Sequence, residues 1–222
     1  DQYQMNTDPA AKFNMIEQQL RTWEVLDANV LSAIDQINRE DFVPDQYKGL
    51  SYADCQIPLS KGVAMFPPRV EGRLLQALLI NPEDSILEIG TGSGYITACL
   101  ATLGKQVLSL EIDFDSQQTA AATLEQLSIN NVSLKHADAF EYDNDQAFNV
   151  IAVTGSVTHV PNNLKQALAV NGRLFIIVGE SPAMEALLIT RISDKEWTTE
   201  SLFETDLPAL ISPARVSPRL SI

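Results

Sequence analysis

The chain has 222 residues, enough for one sizeable hydrophobic core. Hydrophobic residues make up 45% and charged residues 20% of the sequence, an ordinary globular composition, and the formal net charge is −14. A chain this acidic should repel nucleic acids and anionic membranes, and it contains no run of 18 apolar residues that could span a bilayer, so we expect neither as a partner.

The cysteines and histidines argue against two further classes of site. Cys55 and Cys99 are the only cysteines, so no disulfide framework is expected. His136 and His159 are the only histidines, and neither has clustered cysteine or carboxylate neighbours, so no metal site is predicted. Because no signal peptide is visible, we expect the protein in the cytoplasm.

The first elements are predicted helices. From Pro9 onward, apolar residues recur at steps of three and four, as one face of a helix requires. The residues of this face are Phe13, Ile16, Leu20 and Trp23. A second helix is predicted from Ala28 to Gln36, with Asp27 as its N-cap. Neither helix could bury its apolar face alone, so both should pack against the rest of the domain.

The segment from Tyr47 to Arg69 mixes prolines and glycine with apolar residues and is predicted to be an extended loop. A loop of this length in a compact domain is often functional. A helix is predicted next, from Val70 to Ile80.

The most informative stretch runs from Leu87 to Tyr95 and reads L-E-I-G-T-G-S-G-Y. A short apolar strand from Ser85 leads into it, and apolar residues at helical spacing follow it. The glycines permit positive φ and leave room for a ligand close to the backbone. A helix N-terminus then presents free N–H groups to that space. This strand, turn and helix predict a binding site for a nucleotide-like ligand.

A second buried strand, from Val107 to Glu111, ends in a carboxylate. Glu111 lies 21 residues after Gly90, close to the offset of about 20 expected for an acid that binds ribose hydroxyls. The alternative is a glycine turn that only packs a helix on the sheet, with Glu111 as a solvated strand end.

The rest of the chain alternates helices and strands before ending in two strands. The predicted elements are a helix over Gln117–Leu127, strands over Val132–His136 and Phe148–Thr154, a helix over Leu164–Ala169 and a strand over Arg173–Val178. Strands over Ala186–Ile192 and Glu200–Thr205 are separated by a short connection and should be antiparallel. The predicted fold is α/β and Rossmann-like: a doubly wound, mostly parallel sheet with an antiparallel C-terminal strand pair and an N-terminal helical extension.

Several short segments, taken together, resemble one family. They are Arg39–Pro44, Tyr52–Asp54, Ile57–Leu59, Leu87–Tyr95, Val153–Gly155 and Val160–Pro161. In this order and at this spacing they resemble the protein-L-isoaspartate (D-aspartate) O-methyltransferase family. The resemblance implies the S-adenosylmethionine-dependent methyltransferase fold over 1–222 as a single domain. Residues 1–80 would supply the N-terminal helices and a substrate-side loop, and residues 81–222 the cofactor-binding core.

The resemblance also implies a cofactor, S-adenosylmethionine, and an acceptor, a protein or peptide that carries an abnormal aspartyl residue. The implied cofactor-binding residues are Glu88, Gly90, Thr91, Gly92, Ser93, Gly94, Tyr95, Glu111, Ile112, Asp138, Ala139, Phe140 and Thr154. The turn would surround the methionine end of the cofactor, and Glu111 would hold the ribose. Asp138 and its neighbours would lie at the adenine, and Thr154 near the reacting methyl group. The oligomeric state stays open.

The implied substrate-side loop departs from the family pattern. Its residues are Leu59, Val63, Ala64, Met65, Phe66 and Pro67. Val63, Ala64 and Phe66 stand where the family has polar glutamine, threonine and serine. The serine replaced by Phe66 is the family's residue at the methyl-transfer centre, so no catalytic residue is predicted. Alternatively the loop is displaced, and the hydroxyl comes from elsewhere. The candidates are Ser60, Ser156 and Thr158.

Three functions remain open on the sequence. The first is a methyltransferase acting on a protein carboxylate, which needs no general base because a carboxylate is ionised at neutral pH. The second is a cofactor-binding family member without isoaspartyl activity, with another acceptor or an interaction role. The third is a nicotinamide-dependent oxidoreductase. Gly90, Gly92 and Gly94 are spaced G-x-G-x-G rather than G-x-G-x-x-G, which, with the antiparallel ending, disfavours the third.

Overall fold

The computed structural model describes residues 8–143 and 145–211. Its α-helices are α1 (Pro9–Met15), α2 (Ala28–Gln36), α3 (Pro68–Ala77), α4 (Tyr95–Leu103), α5 (Phe114–Gln126) and α6 (Asn162–Gln166). Its strands are β1 (Ile57–Pro58), β2 (Ala64–Met65), β3 (Ser85–Ile89), β4 (Gln106–Glu111), β5 (Val132–His136), β6 (Phe148–Val157), β7 (Leu168–Glu180), β8 (Ala183–Ser193) and β9 (Glu196–Thr205). No helix in these ranges is both long and apolar enough to cross a membrane.

One sheet organises the molecule, with its strands in the order β5-β4-β3-β6-β7-β8-β9. The pairs from β5 to β7 are parallel, and β8 and β9 add on in antiparallel fashion. The predicted sheet, mostly parallel with an antiparallel C-terminal pair, is confirmed. The chain order reverses between β3 and β6, and a parallel sheet opens a crevice for ligands at such a point.

Helix α2 has the predicted bounds. The carboxylate of Asp27 accepts the backbone N–H groups of Asn29 and Val30 at 2.9 and 3.0 Å, so it is the predicted N-cap.

The first helix differs from its prediction. Helix α1 ends at Met15 and continues as a π-helical turn and then a 3₁₀ turn as far as Trp23. Met15 is buried and Phe13 is 63% exposed, so the expected inward position of Phe13 is wrong. The wide π turn shifts the register between Phe13 and the apolar residues that follow it, which regular helical spacing cannot anticipate.

The predicted irregular loop contains regular structure. Strands β1 and β2 pair as a small antiparallel hairpin, with Ile57 opposite Met65 and Pro58 opposite Ala64. Strands of two residues are too short to produce a recognisable alternation in the sequence. Helix α3 then begins at Pro68, where the fixed φ of proline suits a first helical turn, and ends at Ala77.

The later strands are longer than their apolar runs. Strand β6 continues past Thr154 to Val157, and β7 begins at Leu168 rather than Arg173. Helix α6 therefore ends at Gln166, before the predicted end at Ala169. An apolar run marks only the part of a strand that is buried on both faces of the sheet. Hydrogen-bonded pairing with a neighbouring strand continues beyond that part.

Side chains of the central strands enter two hydrophobic clusters, because successive residues point to opposite faces of a sheet. Ile86 and Val150 belong to one cluster, and Leu87 and Ile151 to the other. The first cluster also contains buried residues of the N-terminal segment and α3. Among these are Met15, Leu20, Val30, Ile34 and Leu74. The N-terminal helices thus share a core with one face of the sheet.

A buried ion pair fixes the segment between α2 and α3. Arg39 is fully buried, and its guanidinium donates to Glu71 of α3 at 3.1 and 3.3 Å. It also donates to the backbone carbonyls of Ser51 at 2.6 Å and Phe66 at 2.8 Å. Three separate stretches of chain are therefore held by one side chain.

We expect Arg39→Ala to lower the free energy of unfolding by about 3–5 kcal/mol, because it leaves the Glu71 carboxylate buried without its partner. The measurement is urea unfolding followed by circular dichroism. The control is Arg21→Ala, which breaks the exposed pair with Glu17 and should change stability by less than about 1 kcal/mol. A loss for Arg39→Ala no larger than that of the control would contradict the prediction.

Candidate functional site

A cavity of about 830 Å³ opens at the carboxyl ends of β3 and β4, beside β6. It lies where the strand order reverses, the expected position for a ligand in this type of sheet. Its walls are formed by the turn after β3 with the start of α4, the ends of β4 and β5, the β1–β2 hairpin, Glu71 of α3, Thr154 and Gly155 of β6, and the segment after β9.

The glycine turn after β3 forms the floor. Gly90, Gly92 and Gly94 all have positive φ, at 91°, 54° and 89°, a conformation that favours glycine. A Cβ atom placed on Gly90 would lie 2.8 Å from Thr154 Oγ1, so the two elements approach closely. A Cβ atom on Gly94 would meet the Cβ of Ala120 at 3.1 Å. Gly94 thus serves the packing of α4 against α5 and does not line the cavity.

Glu88, the buried carboxylate of β3, has an incomplete set of partners. Its Oε2 accepts the hydroxyls of Thr97 at 2.6 Å and Ser109 at 2.7 Å. Its Oε1 is buried and has no hydrogen-bond partner among the described residues. Burial raises the pKa of the Glu88 carboxyl to about 8. An unsatisfied polar atom in the cavity wall indicates a place for a polar group of a ligand.

Glu111 stands at the end of β4 and is 8% exposed. Its two oxygens accept the backbone N–H groups of Gly92 and Asp113, each at 2.9 Å. Each oxygen keeps a second lone pair, so the carboxylate is held in place and can still accept further hydrogen bonds.

Asp113 caps the following helix. Its carboxylate accepts the Ser116 hydroxyl at 2.7 Å and forms an ion pair with Lys61. The hydrogen bond from Lys61, followed by that from Ser116, lowers the pKa of Asp113 to about 2. The carboxylate is therefore charged over the whole physiological range.

A bulge in β6 turns two residues toward the cavity. Ala152 pairs with Phe175 and Ser156 pairs with Ile177, so β6 advances four residues where its partner β7 advances two. Thr154 and Gly155 lie in this bulge and line the cavity. The Thr154 hydroxyl donates to the backbone carbonyls of Ile89 and Gly90, which fixes it against the glycine turn.

The end of β5 contributes the remaining polar group. Asp138 lines the cavity with Ala137, Ala139 and Phe140, and its Oδ1 accepts the backbone N–H of Phe140 at 2.9 Å.

The hairpin wall is apolar. Leu59, Val63, Ala64, Met65 and Phe66 all line the cavity. Phe66 is 2% exposed, and its backbone carbonyl is held by Arg39. Pro67, the last residue of the predicted substrate-side loop, does not line the cavity and instead caps α3.

The last wall comes from the segment after β9. Ser156 of β6 is paired with it on both sides, donating its N–H to Pro208 and accepting that of Leu210, each at 2.9 Å. Pro208, Ala209, Leu210 and Ile211 line the cavity. A Cβ atom on Gly155 would lie 2.7 Å from Leu210 Cδ2, so Leu210 packs directly on the bulge.

The structure thus gathers around one cavity all but Gly94 of the residues implied for the cofactor, and all but Pro67 of the substrate-side loop. Sequence reasoning missed Glu71 and the 208–211 segment. Glu71 lies in a helix that was predicted from its apolar residues alone. The 208–211 segment follows the last predicted strand and has no motif of its own, so no signal pointed to it.

The alternative hydroxyls do not lie in this cavity. Ser60 donates to Asp113 at 3.4 Å, and Ser156 donates to the Leu207 carbonyl at 3.0 Å. Ser156 and Thr158 face a second cavity of about 840 Å³, which shares Pro208 and Ala209 with the first. The described lining residues of the hairpin carry no hydroxyl, and the hydroxyl-bearing residues of the cavity come from the glycine turn, α4 and β6: Thr91, Ser93, Tyr95 and Thr154. No group of three or more possible metal ligands occurs among the described residues.

Comparisons with known proteins agree with one another. The family model for protein-L-isoaspartate(D-aspartate) O-methyltransferase matches residues 10–208. A protein-L-isoaspartate O-methyltransferase of Aliivibrio fischeri is 33% identical over 203 residues, which cover 91% of this chain and 97% of the relative. Another, from Koribacter versatilis, is 39% identical over 178 residues and 80% of each chain.

Solved structures support the same architecture. A Plasmodium falciparum protein, described as a protein-L-isoaspartate O-methyltransferase and crystallised with S-adenosyl-L-homocysteine, superimposes with a TM-score of 0.77. The match covers 93% of this chain and 99% of that one at 22% sequence identity, and it establishes the fold.

The pKa of Glu88 makes stability depend on pH. The folded protein keeps the Glu88 proton up to about pH 8, whereas a carboxyl in the unfolded chain releases it near pH 4.5. The stabilisation that this difference provides is therefore full below pH 4.5 and is lost as the pH rises to about 8. We expect Glu88→Gln to remove this part of the pH dependence.

Thermal unfolding at pH 5 and pH 8 checks this expectation. The melting temperature of Glu88→Gln relative to the unsubstituted protein should rise between the two pH values. Exposed Glu125→Gln on α5 controls for the loss of one carboxylate. If both variants keep a constant offset from the unsubstituted protein, the raised pKa of Glu88 is wrong.

Proposed function

The chain belongs to the protein-L-isoaspartate(D-aspartate) O-methyltransferase family, and on that basis we propose that its first cavity binds S-adenosylmethionine and presents the methyl group beneath the β1–β2 hairpin. The observation that carries this proposal is the chemistry of the wall. Four carboxyl groups line the cavity together with the glycine turn, and no lysine, arginine or histidine of the described residues lines it. Two of them, Glu111 and Asp138, stand at the ends of β4 and β5, whereas Glu71 is paired with Arg39 and Glu88 is protonated below about pH 8. S-adenosylmethionine bears a sulfonium and an ammonium group, which an acidic wall attracts.

The residues present fit this cofactor at its methionine end. Glu88 Oε1 lacks a hydrogen-bond partner, and the cofactor's ammonium would donate to it once the carboxyl releases its proton, which a bound cation favours. Gly90 and Gly92 line the same cavity with bare backbone, and the missing side chain of Gly90 also lets Thr154 and Leu210 approach it closely. Together they would hold the charged end of the ligand against the start of α4.

The other end of the cofactor would meet the ends of β4 and β5. Glu111 is fixed by two backbone N–H groups and retains acceptor capacity for ribose hydroxyls. Asp138 and Phe140 lie further along this wall, where the adenine would be held.

The cofactor supplies an activated methyl group on its sulfonium, so the protein has only to align the acceptor and exclude water. The apolar hairpin and Leu210 exclude water on the acceptor side of the cavity. Thr154 donates its hydroxyl proton to backbone carbonyls and so keeps the bulge and the glycine turn in register.

We propose a protein or peptide as the acceptor, as the family name implies, but with weak or absent activity on isoaspartyl carboxylates. A carboxylate entering the cavity loses hydration, which only waiting donors can offset. Val63, Ala64 and Phe66 offer none from their side chains, and Pro67 has no backbone N–H. A cytoplasmic location, and the absence of nucleic-acid partners, remain predictions from the sequence.

We expect Glu111→Ala to weaken binding of S-adenosylmethionine by about 5- to 150-fold, the usual effect of removing a charged hydrogen-bond partner. Titration calorimetry with S-adenosylmethionine and with S-adenosylhomocysteine measures it. Exposed Asp115→Ala removes a nearby charge without touching the cavity and should leave the affinity within twofold. Failure of the unsubstituted protein to bind either compound would refute the proposed function, and an effect of Glu111→Ala below twofold would place the ribose elsewhere.

We also expect methyl transfer to an isoaspartyl peptide to be at least tenfold slower than with the Aliivibrio fischeri relative, assayed in parallel. The combined variant Val63→Gln, Ala64→Thr, Phe66→Ser restores polar side chains to the hairpin wall and should raise the rate. Phe66→Leu opens space without adding a hydroxyl and should not raise it. Turnover by the unsubstituted protein within tenfold of the relative would show that the apolar wall is harmless.

A further inference from the structure

The turn that joins β1 to β2 is attached to the start of α5. Lys61, in this turn, forms an ion pair with the carboxylate of Asp113. Ser60 Oγ lies 3.4 Å from Asp113 Oδ2 and 3.3 Å from Ser116 Oγ. Lys61 and Gly62 both have positive φ, at 56° and 78°, which turns the chain sharply at this point. Two elements that are more than 50 residues apart in the sequence are thereby joined.

The two joined elements both adjoin the cofactor cavity. On one side, Leu59 and Val63 flank the turn and line the cavity. Leu59 lies over the glycine turn, since a Cβ atom on Gly92 would be 3.5 Å from its Cδ1. On the other side, the backbone N–H of Asp113 donates to Glu111 at 2.9 Å. The Lys61–Asp113 contact therefore links the hairpin, which covers the glycine turn at Leu59, to the segment that carries the carboxylate proposed to bind ribose.

We propose that Lys61 is a positioning residue whose ion pair with Asp113 holds the β1–β2 turn over the cavity and thereby slows release of the bound cofactor. This inference rests on the proposed function, because it needs a cofactor in the cavity. Lys61 itself does not line the cavity, so it acts through the hairpin residues that do.

The contact has the properties of a releasable attachment. The Lys61 side chain is 61% exposed, so salt screens its charge and the pair is individually weak. Asp113 remains held without it, because Ser116 donates to the same carboxylate from both its hydroxyl and its backbone N–H. Loss of Lys61 should therefore leave Glu111 and the helix cap in place and loosen only the turn, which then keeps just the longer contacts of Ser60 with Asp113 and Ser116.

The test measures the rate at which S-adenosylhomocysteine dissociates from the full chain. Stopped-flow competition gives this rate, koff, at low and at high salt. Lys61→Ala should raise koff by about 2- to 5-fold, the range for an exposed ion pair. Salt should raise koff of the unsubstituted protein and have little effect on Lys61→Ala, whose ion pair is already lost. Lys61→Arg keeps the charge and should restore both the slow koff and its salt dependence.

Lys105→Ala is the matched control. Lys105 is also 61% exposed and pairs with Glu83 at 3.1 Å, at the opposite ends of β3 and β4 from the cavity. Its koff and salt response should equal those of the unsubstituted protein. If Lys61→Ala behaves like this control, or if Lys61→Arg fails to restore slow release, the role of Lys61 is overturned. If the unsubstituted protein binds no S-adenosylhomocysteine, the proposed function fails instead.

Discussion

The buried guanidinium of Arg39 is the constraint on which the front of the cavity depends. A charge without water must find all its hydrogen-bond partners within the protein, and Arg39 finds them on Ser51, Phe66 and Glu71. Its Cζ also lies 5.6 Å from the ring centre of Tyr95, the first residue of α4. The position of the hairpin wall at Phe66 is therefore set by the same interaction that joins the N-terminal segment to the glycine turn.

The cofactor half of the cavity could be predicted because its determinants are local in the sequence. A strand, three glycines and a helix fix the positions of Glu88 and the turn, and the next strand brings Glu111 to the same edge of the sheet. Helix α2 was equally predictable, since Asp27 and the apolar spacing mark both its start and its inner face. In each case a few neighbouring residues carry the whole signal.

The rest could not be predicted because tertiary contacts decide it. The π turn after Met15 leaves Phe13 exposed, against its helical spacing. The bulge at Thr154 is defined by the register between β6 and β7. The sequence of one strand does not reveal how it pairs with another. Leu210 reaches the cavity because Ser156 pairs with its segment on both sides, and such a pairing leaves no pattern in the sequence of either. Of the wall proposed for the acceptor, the hairpin residues were implied by the sequence, and only the 208–211 segment depends on contacts of this kind.

The two halves of the cavity consequently differ in chemistry. On the side proposed for the cofactor, S-adenosylmethionine would present two cationic groups and a ribose, and the two carboxyl groups proposed to meet them, Glu88 and Glu111, are fixed by hydroxyls and backbone N–H groups. On the acceptor side, Phe66 and Leu210 come from distant parts of the chain and are both apolar. Water excluded by such a wall is not replaced by donors. The apolar wall therefore favours an acceptor that is neutral or apolar near the methyl group. It does not favour a free carboxylate at that place.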